Sequence, residues 1–306
     1  MQTILGAGGD IGRFLAVELT NYTNKIRLVA RTPQRVNDSD ELFPADLTNK
    51  DAVFKAVEGS EVVYLTVGFK YDINVWQKNW PVVMKNVIDA CLHYGAKLVF
   101  FDNVYMYAKT AIPHMTEESL IDPPSKKGIV RAKIFEMLMK AIQEDGLPAL
   151  VARSADFYGP DAKNGLLNIG VINNFQKKKS AFWQSDVHKI HSVTFTPDAA
   201  KATALLGNTQ DAYGQVWHLP TSKEKLTGKQ YIELIAGIMK MKPRYFILNK
   251  FLMRLMGLFS PVVKELQEMQ YQNDQDYFFD SSKFEKRFGI VATAYEEGLK
   301  LAVNQY

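Results

Sequence analysis

The chain has 306 residues, 47% of them hydrophobic and 23% charged, an ordinary balance for a globular protein with one large α/β domain or two of unequal size. A net charge of +4 suits attraction of an anionic small molecule, and it falls far short of a nucleic-acid-binding balance. Cys91 is the single cysteine, which excludes an internal disulfide; it reads as core filler in a reducing compartment. With no basic, apolar leader at the start of the sequence, the expected location is cytoplasmic.

In chain order, strand and helix signals alternate. Gln2–Leu5 is a short apolar run leading directly into Gly6, and a helical pattern follows to about Thr20. Residues 25–30 read as a strand, and Thr48 with Asp51 three residues on suggests a capped helix start. Residues 61–67 form a clear strand, 74–94 a helix carrying Pro81, and 97–101 an apolar strand ending at Asp102-Asn103. A helix over 125–144 and a buried strand over 147–153 complete the alternation. Strands apolar throughout and separated by helices imply a parallel sheet covered on both faces.

The second half is less regular. Thr196-Pro197-Asp198 is a helix start, with Asp198 serving that N-terminus. Residues 215–219 read as a strand returning to the main sheet. Helices follow over 227–240, from Ser260-Pro261, and over 293–303 with Glu296 completing a capping box. The expected fold is therefore α/β: a Rossmann-type, doubly wound parallel sheet in residues 1–155, with a returning segment near 192–220, and a smaller, mostly helical substrate region in 156–306.

The chemistry concentrates at Gly6-Ala7-Gly8-Gly9-Asp10-Ile11-Gly12, placed between the first strand and the first helix. Glycines admit a diphosphate close to the backbone, and the helix N-terminus offers it unpaired N–H groups and a partial positive charge. Gly6, Gly8, Gly9, Asp10, Ile11 and Gly12 are therefore the expected dinucleotide loop. The second strand ends at Arg31, where an acidic residue would hold a ribose 2′-hydroxyl. A guanidinium there attracts a 2′-phosphate instead, so NADP is expected rather than NAD. Arg13 could reach the same phosphate, as could Arg35. Asp46 and Leu47 follow the next strand on the adenine side, and Val67-Gly68 closes the strand that passes the cofactor ribose.

With these residues in place, the chain resembles the extended short-chain dehydrogenase/reductase family, in its NAD-dependent epimerase/dehydratase-like branch. Gly6, Gly9 and Gly12 fit its GxxGxxG spacing. Ala45-Asp46-Leu47-Thr48, Asn86-Val87, Arg153-Ser154-Ala155-Asp156-Phe157-Tyr158-Gly159-Pro160, and Asp280-Ser281-Ser282-Lys283 with Phe288-Gly289 are similar to its later segments. The resemblance implies a Ser/Thr, Tyr and Lys set, the Tyr and Lys four apart on one helix face. On that register Lys133 matches the lysine, holding the nicotinamide ribose, but Ile129 stands where the tyrosine belongs and Asn103 where the serine does. Tyr158 is the named substitute proton donor, with Tyr105 and Tyr107 as alternatives; Tyr105 with Lys109 reads as a chance match in a loop. Arg131 is expected at the surface or facing phosphate.

The expected function is an NAD(P)-binding oxidoreductase or epimerase-like enzyme acting on a hydroxyl or keto group of a small metabolite such as a nucleotide sugar. A non-catalytic NADP(H)-sensing protein is the alternative that Ile129 motivates. The resemblance leaves a homodimer open, and no nucleic-acid or membrane partner is expected. No metal is expected either, since His188 and His191 lack further ligands. Lys177-Lys178-Lys179 reads as a solvated helix end. The apolar stretch 245–259 is too short and too charged to span a bilayer, and Phe251 to Phe259 reads as a core or lid helix, the alternative being a membrane-surface helix, for which it lacks a strong basic face.

Overall fold

The structure is a computed structural model that describes residues 1–304, the side chain of Val262 apart. Its strands are β1 (Gln2–Leu5), β2 (Ile26–Ala30), β3 (Glu41–Pro44), β4 (Val62–Leu65), β5 (Lys97–Asp102), β6 (Ala149–Arg153), β7 (Asp156–Tyr158), β8 (Ala181–Gln184), β9 (Val193–Phe195), β10 (Val216–His218) and β11 (Tyr245–Leu248). The helices are α1 (Asp10–Leu19), α2 (Lys50–Val57), α3 (Ile73–Tyr94), α4 (Lys126–Glu144), α5 (Asn173–Gln176), α6 (Thr196–Gly207), α7 (Gly228–Ile238), α8 (Lys250–Gly257), α9 (Pro261–Gln267), α10 (Ser282–Phe288) and α11 (Tyr295–Asn304).

The chain divides into two compact units. The first comprises residues 1–106, 127–154 and 199–219. Its seven-stranded parallel sheet has the order β10-β6-β5-β4-β1-β2-β3, an α/β Rossmann-like, doubly wound arrangement. β1, β4 and β6 are buried along their whole length, Gln2, Thr3 and Arg153 included, as strands covered by helices on both faces are. The strand order reverses between β1 and β4, so the crevice beyond their C-terminal ends is the topological switch point. Leu5, Val29, Leu65, Val87, Phe100, Ile134 and Val151 fill the core around it.

Several local starts differ from the sequence reading. α2 is capped by Asn49, whose side chain accepts from Ala52 N; Thr48 instead donates to Asp46. Two adjacent residues can both cap, and the turn at Asp46 claims the first. α3 opens on Asp72, which accepts from Asn74 N and Val75 N, carries Pro81 inside, and closes on Gly95 in the left-handed region.

The second unit comprises residues 107–126, 155–198 and 220–306. Its own core is aromatic: Tyr158, Phe175, Trp183, Tyr231 and Tyr295 pack with Val171 and Leu299. β7 pairs with β9 and β8 with β11, each in parallel. Thr227 and Gln230 form the capping box of α7. Asp198 does not spend its carboxylate on its own helix alone: it accepts from Thr293 N and Oγ1, and α11 begins at Tyr295 rather than at Thr293.

Candidate functional site

The first unit gathers its chemistry-bearing residues at the C-terminal edge of the sheet. Each glycine of the loop has a different physical reason to be there. Gly6 has φ of +103°, and a Cβ on it would stand 2.4 Å from the Cα and N of Val67. The loop after β1 therefore touches the backbone that follows β4. A Cβ on Gly12 would meet the Cα and O of Ala7 at 2.8 Å, so α1 packs on the loop only if residue 12 has no side chain. Gly9 meets nothing closer than Gly6 O at 3.6 Å, and Gly8 meets nothing within 4 Å. Gly9 is also the N-cap of α1 and supplies no side-chain cap. The surface presented over this helix start is thus bare backbone, the form that admits a diphosphate to the N–H groups of a first turn. Asp10 is an acidic residue in that turn, and Ile11 is buried beneath it.

Around the loop, Thr66 Oγ1 lies 3.4 Å from the carbonyls of Leu5 and Gly6. Val67 and Gly68 follow β4 rather than end it, and Gly68 is exposed. Arg31 is exposed immediately after β2, and Asp46 is exposed after β3. Asp46 Oδ1 accepts from Thr48 N at 2.9 Å and from Thr48 Oγ1 at 2.8 Å. Those hydrogen bonds, with a smaller contribution from the Arg31 charge, hold its carboxyl below the usual range. Leu47 is buried, and its carbonyl accepts from Asn86 Nδ2 at 3.1 Å, so α3 fixes this turn. Arg13 is exposed on α1. Arg35 is committed elsewhere: its Nη1 donates to the carbonyls of Asp38 and Asp40.

The buried face of α4 overturns two expectations. Lys127, Gly128, Val130, Arg131, Ile134, Leu138 and Ala141 point inward. Ile129 is 58% exposed and Lys133 is exposed as well. A shift of two residues turns a helical position by roughly 200°, so the pair four apart that faces the sheet is Lys127 and Arg131. Arg131 is neither a surface charge nor free for phosphate. Its Nε donates to Asp102 Oδ1 at 2.9 Å, its Nη2 bonds the same oxygen, and its guanidinium lies 4.3 Å from the Trp80 ring centroid. Arg153 Nη2 donates to Asp102 Oδ2 at 3.1 Å. The same carboxylate accepts from Asn103 N at 2.8 Å, and Asn103 Oδ1 accepts from Tyr105 N at 3.0 Å. Tyr105 stacks on Trp76, while Lys127 Nζ stands 4.5 Å over the Tyr71 ring.

A family model for the NAD dependent epimerase/dehydratase family matches residues 3–218. The chain belongs to this family. Among its relatives, 3beta-hydroxysteroid-dehydrogenase/decarboxylase isoform 1 of Arabidopsis thaliana is 25% identical over 292 residues, covering 86% of this chain and 66% of that protein. Isoform 2 is also 25% identical, over 300 residues, covering 87% of this chain and 52% of that protein, so the chain spans only about half to two thirds of these plant relatives. UDP-N-acetyl-alpha-D-glucosaminuronate decarboxylase of Bacillus cytotoxicus is 21% identical over 243 residues, covering 72% and 75% of the two chains. The fold matches that of a DesIV double mutant (dTDP-glucose 4,6-dehydratase) from Streptomyces venezuelae with NAD bound, at a TM-score of 0.82 and 14% identity, over 100% of this chain and 96% of that one. It likewise matches UDP-glucuronic acid 4-epimerase from Bacillus cereus in complex with NAD, at 0.79 and 17%, over 99% and 98%.

Tyr158 lies in the core of the second unit, 1% exposed, against Phe195 and Tyr295. Its hydroxyl has no hydrogen-bond partner among the described residues, and burial drives its pKa far up. There its ring packs as part of the aromatic core of the second unit. Tyr107 is buried too. His191 bonds Asp156 at 2.9 Å and stacks on Tyr277, whereas His188 is exposed. No cluster of three or more His, Cys, Asp or Glu suited to a metal occurs among the described residues. Lys127 is the residue the sequence reading passed over; the apolar spacing Val130, Ile134, Leu138, Ala141 would have placed it inward.

Proposed function

We propose that this chain is an NADP(H)-dependent enzyme of the oxidoreductase or epimerase type, acting on a hydroxyl or keto group of a small metabolite such as a nucleotide sugar. The observation that carries this reading is the bare-backbone cradle at Gly8 and Gly9 over the uncapped start of α1, at the switch point of the sheet. When bound there, a nicotinamide dinucleotide supplies hydride acceptance and donation. The chain's own residues do the rest: α1 holds the diphosphate, Asp46 and Leu47 border the adenine side, and Val67-Gly68 borders the ribose. Lys127, fully buried on the inward face of α4 with its Nζ over the Tyr71 ring, takes the place expected of Lys133 as the cation of the site. The relatives' names span a hydroxysteroid and a nucleotide sugar, which is why the class is stated as a hydroxyl-bearing carbon.

Arg31 supports NADP over NAD, since an exposed guanidinium at this position favours a 2′-phosphate. In calorimetric titration, wild type is expected to bind NADP more tightly than NAD. Arg31→Glu should weaken NADP binding by about tenfold or more, the scale of one charge-assisted contact, with little effect on NAD. Equal affinities in the wild type would remove the preference.

The two lysines of α4 make a separate test. Lys133→Gln should leave NADPH affinity and turnover within about twofold, as for any exposed charge away from a site. Lys127→Met should lower turnover by about a hundredfold, the scale of a lost acid–base or orienting group, and Lys127→Arg should recover part of it. A loss at Lys133 with none at Lys127 would restore the register in which Ile129 replaces the tyrosine.

The alternative, a non-catalytic NADP(H)-sensing protein, is favoured by one observation: the phenol of Tyr158 is enclosed in the aromatic core of the second unit. It predicts dinucleotide binding with no oxidation of NADPH across a panel of keto-sugars and ketosteroids.

A further inference from the structure

The sequence from Lys240 to Lys264 carries Lys240, Lys242, Arg244, Lys250, Arg254 and Lys264, and not one Asp or Glu. It is also apolar, and the structure does not bury that apolar surface. Phe251 is 76% exposed, Leu258 77% and Phe259 84%. Phe246, Ile247 and Leu255 are exposed beside them in the sequence. Residues 251, 255 and 258 share one side of a helical turn pattern, while Met253 points inward and anchors α8. Burial of α8 as a core helix is thereby overturned. Isolated exposed apolar residues are ordinary, but this density on one short segment is not.

The tertiary fold gathers further cations at the start of β11. β11 pairs with β8, register Tyr245 with Ala181, which brings the turn before β8 next to the turn before β11. Lys178, Lys179, Lys242 and Arg244 line one cavity there. Phe246 packs obliquely on Phe182 in the same small sheet, and α8 starts directly after it. Lys250 is paired with Asp274, but Arg254 is exposed among the apolar residues.

We propose that this element of the second unit is a membrane-surface docking face: Phe251, Leu258 and Phe259 enter the headgroup boundary of an anionic bilayer, and the surrounding Lys and Arg residues contact its phosphates and carboxylates. Charge complementarity selects this occupant. A two-fold contact with a second copy would bring the predominantly cationic stretch from Lys240 to Lys264, in which Lys250 pairs with an acid, Asp274, against itself, which like-charge repulsion opposes. Anionic lipid supplies the missing charge, and the combination of apolar side chains with flanking cations is that of helices lying in an interface. No helix among the described residues is long and apolar enough to cross a membrane, so the mode is surface attachment.

The test is flotation of the full chain with two vesicle types: phosphatidylcholine alone, and an equal mixture of phosphatidylcholine and phosphatidylserine. Co-flotation with the mixed vesicles, lost as salt rises, is expected. The double variant Phe251→Ser with Phe259→Ser, and separately Lys242→Glu with Arg244→Glu, should each weaken partition by about tenfold or more. All four side chains are exposed, so thermal unfolding should match wild type and separate lost docking from lost folding. Wild type that stays with the unfloated fraction overturns the proposal, as does flotation unaffected by both double variants. A stable dimer in sedimentation that Phe251→Ser with Phe259→Ser converts to monomer overturns it too, assigning the face to a second copy.

Discussion

Gly9→Val is expected to abolish NADP(H) binding while leaving the protein folded. A Cβ at Gly9 meets only Gly6 O at 3.6 Å and Thr66 O at 3.9 Å, ordinary contacts, and its backbone at φ −84°, ψ 170° suits a β-branched residue. The main stability loss is the weaker helix cap, about 1 kcal/mol. The isopropyl group, however, fills the space above the start of α1. Denying the diphosphate several charge-assisted hydrogen bonds should weaken binding by at least about a hundredfold. Gly12→Val is the paired experiment with the opposite signature. Its Cβ would stand 2.8 Å from Ala7 backbone atoms, where nothing flexible can yield, so overpacking should cost about 3 kcal/mol and lower the urea midpoint. Saturating NADP should raise the unfolding temperature of wild type but not that of Gly9→Val, because only a ligand of the native state stabilises it. If Gly9→Val binds NADP as wild type does, the cradle is not where the diphosphate lies.

The turn at Gly6 to Gly12 is legible in the sequence because its requirements are backbone requirements, and glycine is the residue that meets them. The parallel sheet is legible for a similar reason: uniformly apolar strands such as Val62–Leu65 have one stable environment. Side-chain direction on α4 is another matter. Alignment by resemblance put Ile129 and Lys133 inward, whereas packing is decided by Val130, Ile134, Leu138 and Ala141, and these carry Lys127 and Arg131 with them. Tyr158 lies within a conspicuous segment, yet β7 pairs with β9 and its ring joins an aromatic core that only the tertiary fold assembles. The run from Phe251 to Phe259 shows the same limit. Periodicity says which residues share a face; it does not say whether protein covers that face.

Asp102→Ala should be among the most damaging single substitutions in the first unit, costing about 3–5 kcal/mol. The carboxylate is fully enclosed and bonds Arg131 and Arg153, themselves buried. Pairing two charges inside a protein gains little over an apolar pair, because desolvation offsets the attraction. Removing one partner is different: Arg131 then keeps its charge and loses its carboxylate, with the faces of Trp80 and Phe100 beside it. Such a loss is a large share of the 5–15 kcal/mol typical of a folded domain. The damage should also reach the candidate site, because Asp102 Oδ1 accepts from Arg131 Nε as well as from Asn103 N and so ties the end of β5 to α4, the helix that bears Lys127. Asp102→Asn, which keeps the shape and one acceptor oxygen but removes the charge and turns an amide donor toward one of the arginines, should fall between wild type and Asp102→Ala in urea denaturation. Replacing all three residues together, Asp102→Ala with Arg131→Met and Arg153→Met, should recover much of the loss, since no stranded cation remains. An Asp102→Ala protein within about 1 kcal/mol of wild type would show that water or another acceptor reaches the arginines, and that the carboxylate does not hold the strand and the helix together.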